Sequence, residues 1–346
     1  MKAVAIISEN LSYPLDEGFK KASAEIATRI ASPGIAATIF ARDSKGFPLP
    51  VEPLPRNKLL RGHEFRQALA KVAPEAILYV PEASGTPMSL LRGRMIGRQA
   101  GGSPVFILCL QRRIFPWLLR PFLRRLRPAL ALVLSKRSAR AMEAAGIPAA
   151  VVPLGVDTKV FRPPAEGEKA ALRQKYGVGP GTVLLHIGHI TASRNLQLLQ
   201  RALRPGRELV VVASTSTKAE GAISREMGES SARTITGFVE NVGEIYRLAD
   251  CYLFPTWHQT GAIEIPLSIL EAMATNLPVV TTAFGGIPDI FSEGKGLFIA
   301  SSGREFGEKI DAALESKAVA TRELVRDLTW ENAASQIVAE MERRIG

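Results

Sequence analysis

The chain has 346 residues, of which 46% are hydrophobic and 22% are charged, and its formal net charge at pH 7 is +11. This length fits two domains of about 100–200 residues each, and the apolar fraction excludes a disordered or fibrous protein. No window of about 18 residues lacks a charged side chain, so we expect neither a signal peptide nor a membrane-spanning helix.

The first half of the sequence alternates short apolar runs with longer helical patterns, which is typical of an α/β domain with a parallel sheet. Strands are predicted at Val4–Ser8, Ala37–Ala41, Ala76–Val80, Val105–Leu110, Leu130–Leu134 and Ala150–Pro153. Helices are predicted near Phe19–Ile30, Glu64–Val72, Met88–Gln99, Pro116–Leu126 and Ala139–Ala145.

The same rhythm restarts after a Pro-rich joint, which predicts a second domain of the same kind. Its strands are predicted at Val183–Ile187, Glu208–Ala213, Thr234–Phe238, Cys251–Phe254, Pro278–Thr281 and Gly296–Ile299. Apolar residues in the stretch Trp330–Ile345 recur with helical spacing and predict a terminal amphipathic helix. We therefore expect domains at 1–157 and 158–328, and a helix at 329–346 that packs back on the first domain.

Charge is distributed unevenly along the chain. Residues 1–150 contain 23 Lys and Arg against 10 Asp and Glu, and the segment from Ala83 to Met142 contains twelve basic residues and no acidic one. An excess of this kind on one domain predicts an anionic partner. Nucleic acid is not the expected partner, because no RNA-binding signature accompanies the charge.

The two cysteines, Cys109 and Cys251, each lie within an apolar run. That setting predicts small buried thiols rather than a disulfide or a metal ligand, and it fits a reducing, cytoplasmic compartment. The four histidines also lack the spacing of metal ligands, and no Asp-x-Asp triplet, P-loop or GxGxxG fingerprint is present.

Three motifs in the joint and the second half occur together in one family. They are VVPLGVDTKVFRPP (151–164), LLHIGHITASRN (184–195) and the segment Gly237–Pro288, which contains LEAMATNLPVV. In this order they resemble the retaining GT-B glycosyltransferases called glycosyltransferase family 4 or group 1. The resemblance implies two Rossmann-like domains that face a cleft, with a sugar nucleotide in the second domain and the acceptor in the first. It implies no metal and no cofactor besides the substrate.

Glu271 and the segment 188–194 carry the donor side of this resemblance. A carboxylate can accept hydrogen bonds from two vicinal hydroxyls, and the family's glutamate before Ala-Met-Ala holds the donor ribose. The sequence pattern places Glu271 at the start of a helix, so a solvated charge or a partner of that helix start is the other interpretation of Glu271. Gly188, His189 and Arg194 lie where a strand ends and a helix is predicted to begin, a place that attracts phosphate. The family has an arginine and a lysine where this chain has His189 and Arg194, and a structural role for His189 stays open.

The second departure from the family concerns the acid that contacts the donor sugar. The family has two glutamates eight positions apart, but Ile263 stands eight positions before Glu271 and Glu264 stands seven before it. A shift of one residue in the loop would bring Glu264 to the sugar, or its carboxylate faces away. His258 is a further candidate donor contact. Gly285 and Gly286 follow a predicted buried strand and either allow a close backbone approach or form a plain turn.

Candidate acceptor residues lie in the first domain. Asp16, Glu17 and Gly18 stand between its first strand and first helix, where the family's glycine loop is found, although Asp16 as the helix N-cap explains this pattern nearly as well. Glu82 ends another strand, in a region where many relatives carry a histidine.

The stretch Arg112–Lys136 interleaves arginines with large apolar side chains. Arg120, Arg124, Arg125 and Trp117 are the candidate membrane-facing residues, since a basic and aromatic helix suits an anionic lipid surface. A core-packed helix with a solvated basic face is the alternative. The first interpretation predicts a cytoplasmic protein that is peripheral at the inner face of the membrane.

These observations together predict a hexosyl-type transferase that moves a sugar from a nucleotide-diphosphate sugar to an acceptor hydroxyl with retention. The acceptor would be a cell-envelope glycan or a lipid-linked, membrane-proximal molecule. The alternative is a weak or inert homologue that binds a nucleotide or a partner protein, because the chain departs from the family at His189 and Ile263.

Overall fold

The computed structural model describes residues 1–31, 34–112, 117–200, 202–213, 232–236, 239–258 and 262–346. Its internal contacts divide the chain into two units. The first consists of residues 1–154 and 330–346, and the second of residues 155–329. The sequence places these boundaries at 157 and 328.

The first unit contains a parallel sheet of seven strands connected by helices. Its elements are β1 (Ala3–Asn10), α1 (Gly18–Ile30), β2 (Ala36–Asp43), β3 (Val51–Pro53), α2 (His63–Val72), β4 (Ala76–Val80), α3 (Pro87–Gln99), β5 (Val105–Cys109), a 3-10 turn (Trp117–Leu119), α4 (Arg120–Arg125), β6 (Leu130–Val133), α5 (Lys136–Ala144) and β7 (Ala149–Val151). The strand order is β3-β2-β1-β4-β5-β6-β7. β1 pairs in parallel with β2, with Ala3 opposite Ala36, and with β4, with Val4 opposite Ala76.

The second unit contains a parallel sheet of six strands. Its elements are α6 (Glu168–Tyr176), β8 (Thr182–Gly188), a 3-10 turn (Ala192–Arg194), α7 (Gln197–Gln200), β9 (Arg207–Ala213), β10 (Ala232–Thr236), α8 (Val242–Leu248), β11 (Cys251–Phe254), α9 (Leu267–Ala274), β12 (Val279–Thr282), α10 (Ile287–Ile290), β13 (Leu297–Ala300), α11 (Gly303–Glu315) and α12 (Thr321–Leu324). The strand order is β10-β9-β8-β11-β12-β13. The chain then ends in α13 (Trp330–Ile345), which belongs to the first unit and packs against α1.

These two parallel sheets confirm the predicted α/β class with two Rossmann-like domains and a C-terminal helix. Every residue of the central strands β4, β5, β6 and β11 is buried, as expected of strands covered on both faces by helices. Each predicted strand lies within two residues of an observed one, although residues 237 and 238 of one prediction lie outside the described part. Cys109 and Cys251 are both buried.

Local structure differs from the sequence analysis at β3, α4 and α5. β3 was missed because it is a short edge strand with Pro53 in it, and proline is tolerated there since no neighbouring strand needs its N–H. Residue 116 of the helix predicted at Pro116–Leu126 lies outside the described part, and the rest forms a 3-10 turn followed by α4, which starts at Arg120 because Pro121 fits only the first helical turn. α5 begins at Lys136 rather than Ala139, since Ser135 accepts a hydrogen bond from the backbone N–H of Ser138 and caps the helix.

Candidate functional site

The strand order of the second sheet reverses between β8 and β11. From β8 the chain builds outward through β9 and β10, and it then returns to the other side of β8 with β11, β12 and β13. Ligands of parallel α/β sheets bind beyond the carboxyl ends of the strands at such a reversal. Gly188 ends β8, and Thr256 and Trp257 follow β11, so these residues stand at the candidate site.

Arg194 is a buried cation at this edge of the sheet. Only 7% of its surface is exposed, and its guanidinium lies 5.7 Å from the centre of the Phe254 ring. No ion pair joins Arg194 to any residue that the structure describes, and its Nε makes no hydrogen bond there. Burial lowers the pKa of Arg194, but a guanidinium stays protonated in proteins. A desolvated positive charge without a carboxylate is costly unless a ligand supplies the negative charge.

Two further polar groups at this edge of the sheet are buried without a hydrogen-bond partner among the described residues. They are Nε2 of His186 and Oγ1 of Thr256. His186 Nδ1 lies 2.9 Å from the carbonyl oxygen of Leu253, so it is the nitrogen that carries the proton. Burial lowers the pKa of His186 to about 4, which leaves Nε2 as a neutral acceptor at pH 7. A Cβ on Gly188 would lie 3.4 Å from both His186 Nε2 and Arg194 Nη1, so the strand end, the imidazole and the guanidinium are neighbours.

Glu271 lies within α9, with 7% of its surface exposed. Tyr246 donates its hydroxyl to Glu271 Oε2 over 2.8 Å, which fixes one carboxylate oxygen. The sequence places Glu271 at the start of a helix, but α9 begins four residues earlier, at Leu267. The apolar run before Glu271 is part of this helix. Seven of the eight residues of α9 are buried, as expected of a helix that is apolar on all sides and lies in the core. The interpretation of Glu271 as a solvated charge is therefore wrong.

Tyr252 connects Glu271 with Arg194 electrostatically. Its hydroxyl is buried, and burial raises its pKa well above the usual range, while Arg194 lowers the pKa and Glu271 raises it. Both charged side chains therefore lie near enough to act on the same phenol of β11.

Glu264 and the glycine pair are brought together by backbone contacts. Glu264 is 2% exposed, and its carbonyl oxygen accepts a hydrogen bond from the N–H of Gly286 over 3.1 Å. Gly285 has a φ of +55°, and a Cβ there would lie 2.1 Å from the Glu264 carbonyl oxygen. The pair is therefore not a plain turn, because only glycine allows this approach.

We expect Gly285→Ala to destabilise the protein by at least about 1–3 kcal/mol, the usual cost of a left-handed backbone for other residues. The clash with the carbonyl oxygen of Glu264 adds to this cost. Gly307→Ala in α11 is the matched control, since a Cβ there meets nothing within 4 Å and should stabilise the helix by about 0.5–1 kcal/mol. Denaturant unfolding measures both variants, and equal stability of the two would contradict the close approach.

The remaining donor-side residues lie at the same sheet edge. His189 directly follows β8 and is partly buried, and His258 is exposed in the segment after β11, next to residues 259–261, which are outside the described part. Arg194 ends a 3-10 turn, and the helix after it, α7, spans one turn in the described part of the chain. So short a helix offers few free amides and a weak dipole, so the expected attraction of phosphate to this helix start is small.

The first sheet also reverses its order, between β1 and β4, and a buried charged cluster lies at that reversal. Glu9 is 5% exposed, and its Oε1 accepts hydrogen bonds from the Tyr79 hydroxyl (2.7 Å) and from Arg92 Nη1 (2.8 Å). Arg42 Nη1 lies 3.9 Å from its Oε2. Sequence analysis missed this cluster, although a carboxylate at the end of an apolar run was a signal for it.

The predicted acceptor-side residues lie around this cluster. Glu82 is exposed after β4, and its pKa is raised by partial desolvation and by the negative charges of Glu9 and Glu17. Asp16 is not the N-cap of α1, as the alternative interpretation assumed, since the cap position belongs to Glu17, which makes no side-chain capping bond. Asp16 instead forms an ion pair with Lys20, and α1 begins at Gly18.

The basic segment exposes apolar and cationic groups together. Arg120, Arg124 and Arg125 of α4 are exposed, and so are Leu118 (69%) and Phe122 (49%). Leu123 and Leu126 are buried and anchor the segment on the first unit. The side chain of Trp117 lies outside the described part. Within the residues that the structure describes, no helix is both long and apolar enough to span a bilayer.

Comparisons with known proteins agree with the geometry of the second unit. Residues 181–316 match the family described as glycosyl transferases group 1. The sulfoquinovosyl transferase SQD2 of Arabidopsis thaliana is 29% identical over 215 residues, which are 58% of this chain and 40% of that protein. The lipopolysaccharide core biosynthesis mannosyltransferase LpsB of Rhizobium meliloti is 29% identical over 184 residues, 48% of this chain and 50% of that protein. These matches thus span half or less of either relative.

The whole chain resembles a solved structure. HepE of Anabaena in complex with UDP superposes with a TM-score of 0.78 at 16% identity, over 99% of this chain and 100% of that one. The complex of the same protein with UDP-glucose gives a TM-score of 0.76 at 17% identity, over 98% and 99% of the two chains. The chain therefore has the two-domain GT-B fold, and its residues 181–316 match the glycosyl transferases group 1 family.

Proposed function

We propose that the protein is a glycosyltransferase that transfers a hexosyl group from a nucleotide-diphosphate sugar to an acceptor hydroxyl. The observation that carries this proposal is Arg194, a buried cation at the strand-order reversal with no carboxylate partner in the described part of the chain. A diphosphate supplies the missing negative charge in the geometry that a guanidinium binds best. The group 1 match and the likeness to a UDP-glucose-binding protein support the same donor class.

Each donor group then has a residue suited to it. Glu271, with one oxygen held by Tyr246, accepts hydrogen bonds from the ribose hydroxyls. Arg194 binds the diphosphate, and His189 donates a hydrogen bond to it. Glu264 and the backbone of Gly285 and Gly286 contact the donor sugar, and His258 contributes a polar group from the loop after β11.

Catalysis follows from the change in charge as the nucleoside diphosphate departs. Negative charge grows on the leaving oxygen in the transition state, and Arg194 stabilises it from a buried position, where electrostatic interactions are stronger than in water. The bond between the anomeric carbon and the diphosphate oxygen breaks, the acceptor oxygen forms the new bond to that carbon, and the acceptor proton passes to the departing phosphate oxygen. We propose that this transfer proceeds without a metal, since the guanidinium supplies the positive charge, and with retention, as the resemblance to the retaining family implies.

We assign the acceptor to the first unit. Glu9 is held by Tyr79 and Arg92, so this carboxylate is fixed at the sheet reversal. Glu82 and Glu17 extend the acidic edge, and Asp16 and Gly18 shape the start of α1. Carboxylates and guanidinium groups so placed suit the hydroxyls of a glycan or of a lipid-linked sugar.

A donor panel tests the function directly. Purified protein is titrated with UDP-, GDP- and ADP-sugars by calorimetry, and turnover of the bound donor is followed with glycan and lipid-linked acceptors, with and without EDTA. We expect one nucleotide class to bind, turnover insensitive to EDTA, and a product whose anomeric configuration by NMR matches the donor. Tight nucleotide binding without any turnover would instead favour the inert homologue.

We further propose that the first unit docks on anionic membrane through α4, as a cytoplasmic, peripheral protein of cell-envelope glycan synthesis. The triple variant R120Q/R124Q/R125Q should lose co-sedimentation with anionic vesicles, since each arginine contributes about 1 kcal/mol near such a surface. Binding should weaken with salt, because the Debye length is about 8 Å at physiological ionic strength.

The matched control for this experiment is R56Q/R61Q/R66Q, which removes the same charge from exposed arginines of the same unit. This variant should pellet with anionic vesicles like the native protein. Equal and negligible pelleting with neutral and anionic lipid would remove the membrane proposal and leave an acceptor in solution.

A further inference from the structure

A cavity lies in the first unit, at the opposite edge of its sheet from Glu9. Its volume is about 340 Å³, within the range of small-molecule sites. Val105, at the start of β5, and the residues before β6 form one wall, and the face of α3 that carries Gly97 forms another. It lies at the amino ends of the strands, whereas Glu9 lies at their carboxyl ends.

Three arginines surround this cavity without a carboxylate. Arg94 and Arg98 are one turn apart on α3, and Arg127 approaches from the turn before β6. All three side chains are exposed, and none is ion-paired or hydrogen-bonded to another residue in the described ranges. Like charges one helical turn apart repel each other, so this arrangement destabilises α3 unless an anion is present.

The surroundings add positive rather than negative charge. Arg344 of α13 donates through Nε to the carbonyl oxygen of Ala129, a residue of the cavity wall (3.2 Å). The acid in the neighbouring turn, Glu75, accepts a hydrogen bond from the backbone N–H of Lys2 (3.0 Å). The wall residues themselves include no acid.

The second unit has a cavity at the corresponding edge of its own sheet, and there the charge is balanced. That cavity, of about 620 Å³, is lined by Thr182 at the start of β8, by Arg173 and by Asp250. Arg173 Nη2 lies 2.5 Å from Asp250 Oδ2, and Lys169 binds the other oxygen of the same carboxylate over 3.0 Å. The fold therefore does not require unpaired arginines at this edge.

We propose that the cavity formed by Arg94, Arg98 and Arg127 binds a phosphomonoester or diphosphate group. Three guanidinium forks in one concave site match the several oxygens and the double charge of such a group better than a single carboxylate. The ligand is either a soluble phosphorylated compound or the head group of an anionic lipid. This site is independent of the donor site, which lies in the other unit.

The test compares two triple variants that lose the same charge, R94Q/R98Q/R127Q and R56Q/R61Q/R66Q. Inorganic pyrophosphate is titrated by calorimetry, and vesicles of phosphatidic acid or phosphatidylcholine are used for co-sedimentation. Circular dichroism checks the fold of each variant, and R94K/R98K/R127K keeps the charge while removing the forks. Arg194→Ala is included because pyrophosphate also reaches the proposed donor site.

We expect R94Q/R98Q/R127Q to weaken one class of pyrophosphate site by at least about tenfold, the lysine triple to weaken it less, and the control to change it by less than about twofold. Arg194→Ala should leave that class intact. If only phosphatidic acid vesicles respond to the triple variant, the ligand is a lipid head group. Equal behaviour of the two glutamine triples with both probes would overturn the proposal and leave the donor site untouched.

Discussion

Replacing Arg194 by methionine is expected to lower kcat by about 100- to 1,000-fold, or about 2.7–4 kcal/mol of transition-state stabilisation. The melting temperature of the unliganded protein should stay unchanged or rise. Activity and stability respond differently because the guanidinium is buried without a carboxylate among the described residues. Its desolvation therefore destabilises the protein when no ligand is bound. Methionine fills a similar volume beside Phe254 without that cost.

Arg247→Met is the matched control for Arg194. Arg247 Nε lies 2.9 Å from Glu168 Oε1, and its Nη1 donates to the carbonyl oxygen of Val160. This control should lower the melting temperature and leave kcat within about twofold. Thermal unfolding and steady-state kinetics on the same preparations separate the two cases. A fall in stability of Arg194→Met equal to that of the control, with full activity, would assign Arg194 to the core alone.

Glu271→Ala is expected to weaken binding of the nucleoside diphosphate by about 1.5–3 kcal/mol, roughly 10- to 150-fold in Kd. The substitution also leaves the buried hydroxyl of Tyr246 without its acceptor, which would destabilise the protein for an unrelated reason. The double variant Y246F/E271A removes both partners and is therefore compared with Y246F alone.

Calorimetry with UDP, GDP and ADP measures the affinity of both variants for the nucleotide. Y246F should bind nearly as well as the native protein, because the carboxylate is still present, and the double variant should show the full loss. Equal Kd values for the folded double variant and Y246F would contradict the ribose assignment and leave Glu271 as a core acceptor for Tyr246.

The sequence predicts the strands well, because they depend on local patterns. Buried strands such as β4 appear as short apolar runs, and Gly188 ends such a run while Arg194 lies in the loop after it. Local sequence patterns do not show which other side chain each residue contacts in the folded protein. Arg194 is buried because Phe254, 60 residues later in the sequence, packs under it, and Glu271 is held by Tyr246, which comes from another helix.

Glu9 was missed for a related reason. In the sequence Glu9 ends an apolar run. Its place in a charged cluster depends on hydrogen bonds from Tyr79 and Arg92, which the topology brings to the same sheet edge. The start of α9 was misplaced because a fully buried helix has no polar face to mark its period. Register and burial are properties of the assembled sheet, so local sequence patterns predict them less well than they predict the elements themselves.

The position of α13 affects the order in which the protein can fold during synthesis. Domains generally fold from the amino terminus onward as the chain emerges from the ribosome. Here the first unit includes Trp330, Ile337 and Met341, which are buried on a helix that packs against α1. The unit that is begun first is therefore completed last, after the second unit has already been made. Until then the face of α1 that this helix covers is open to misassembly or to chaperones.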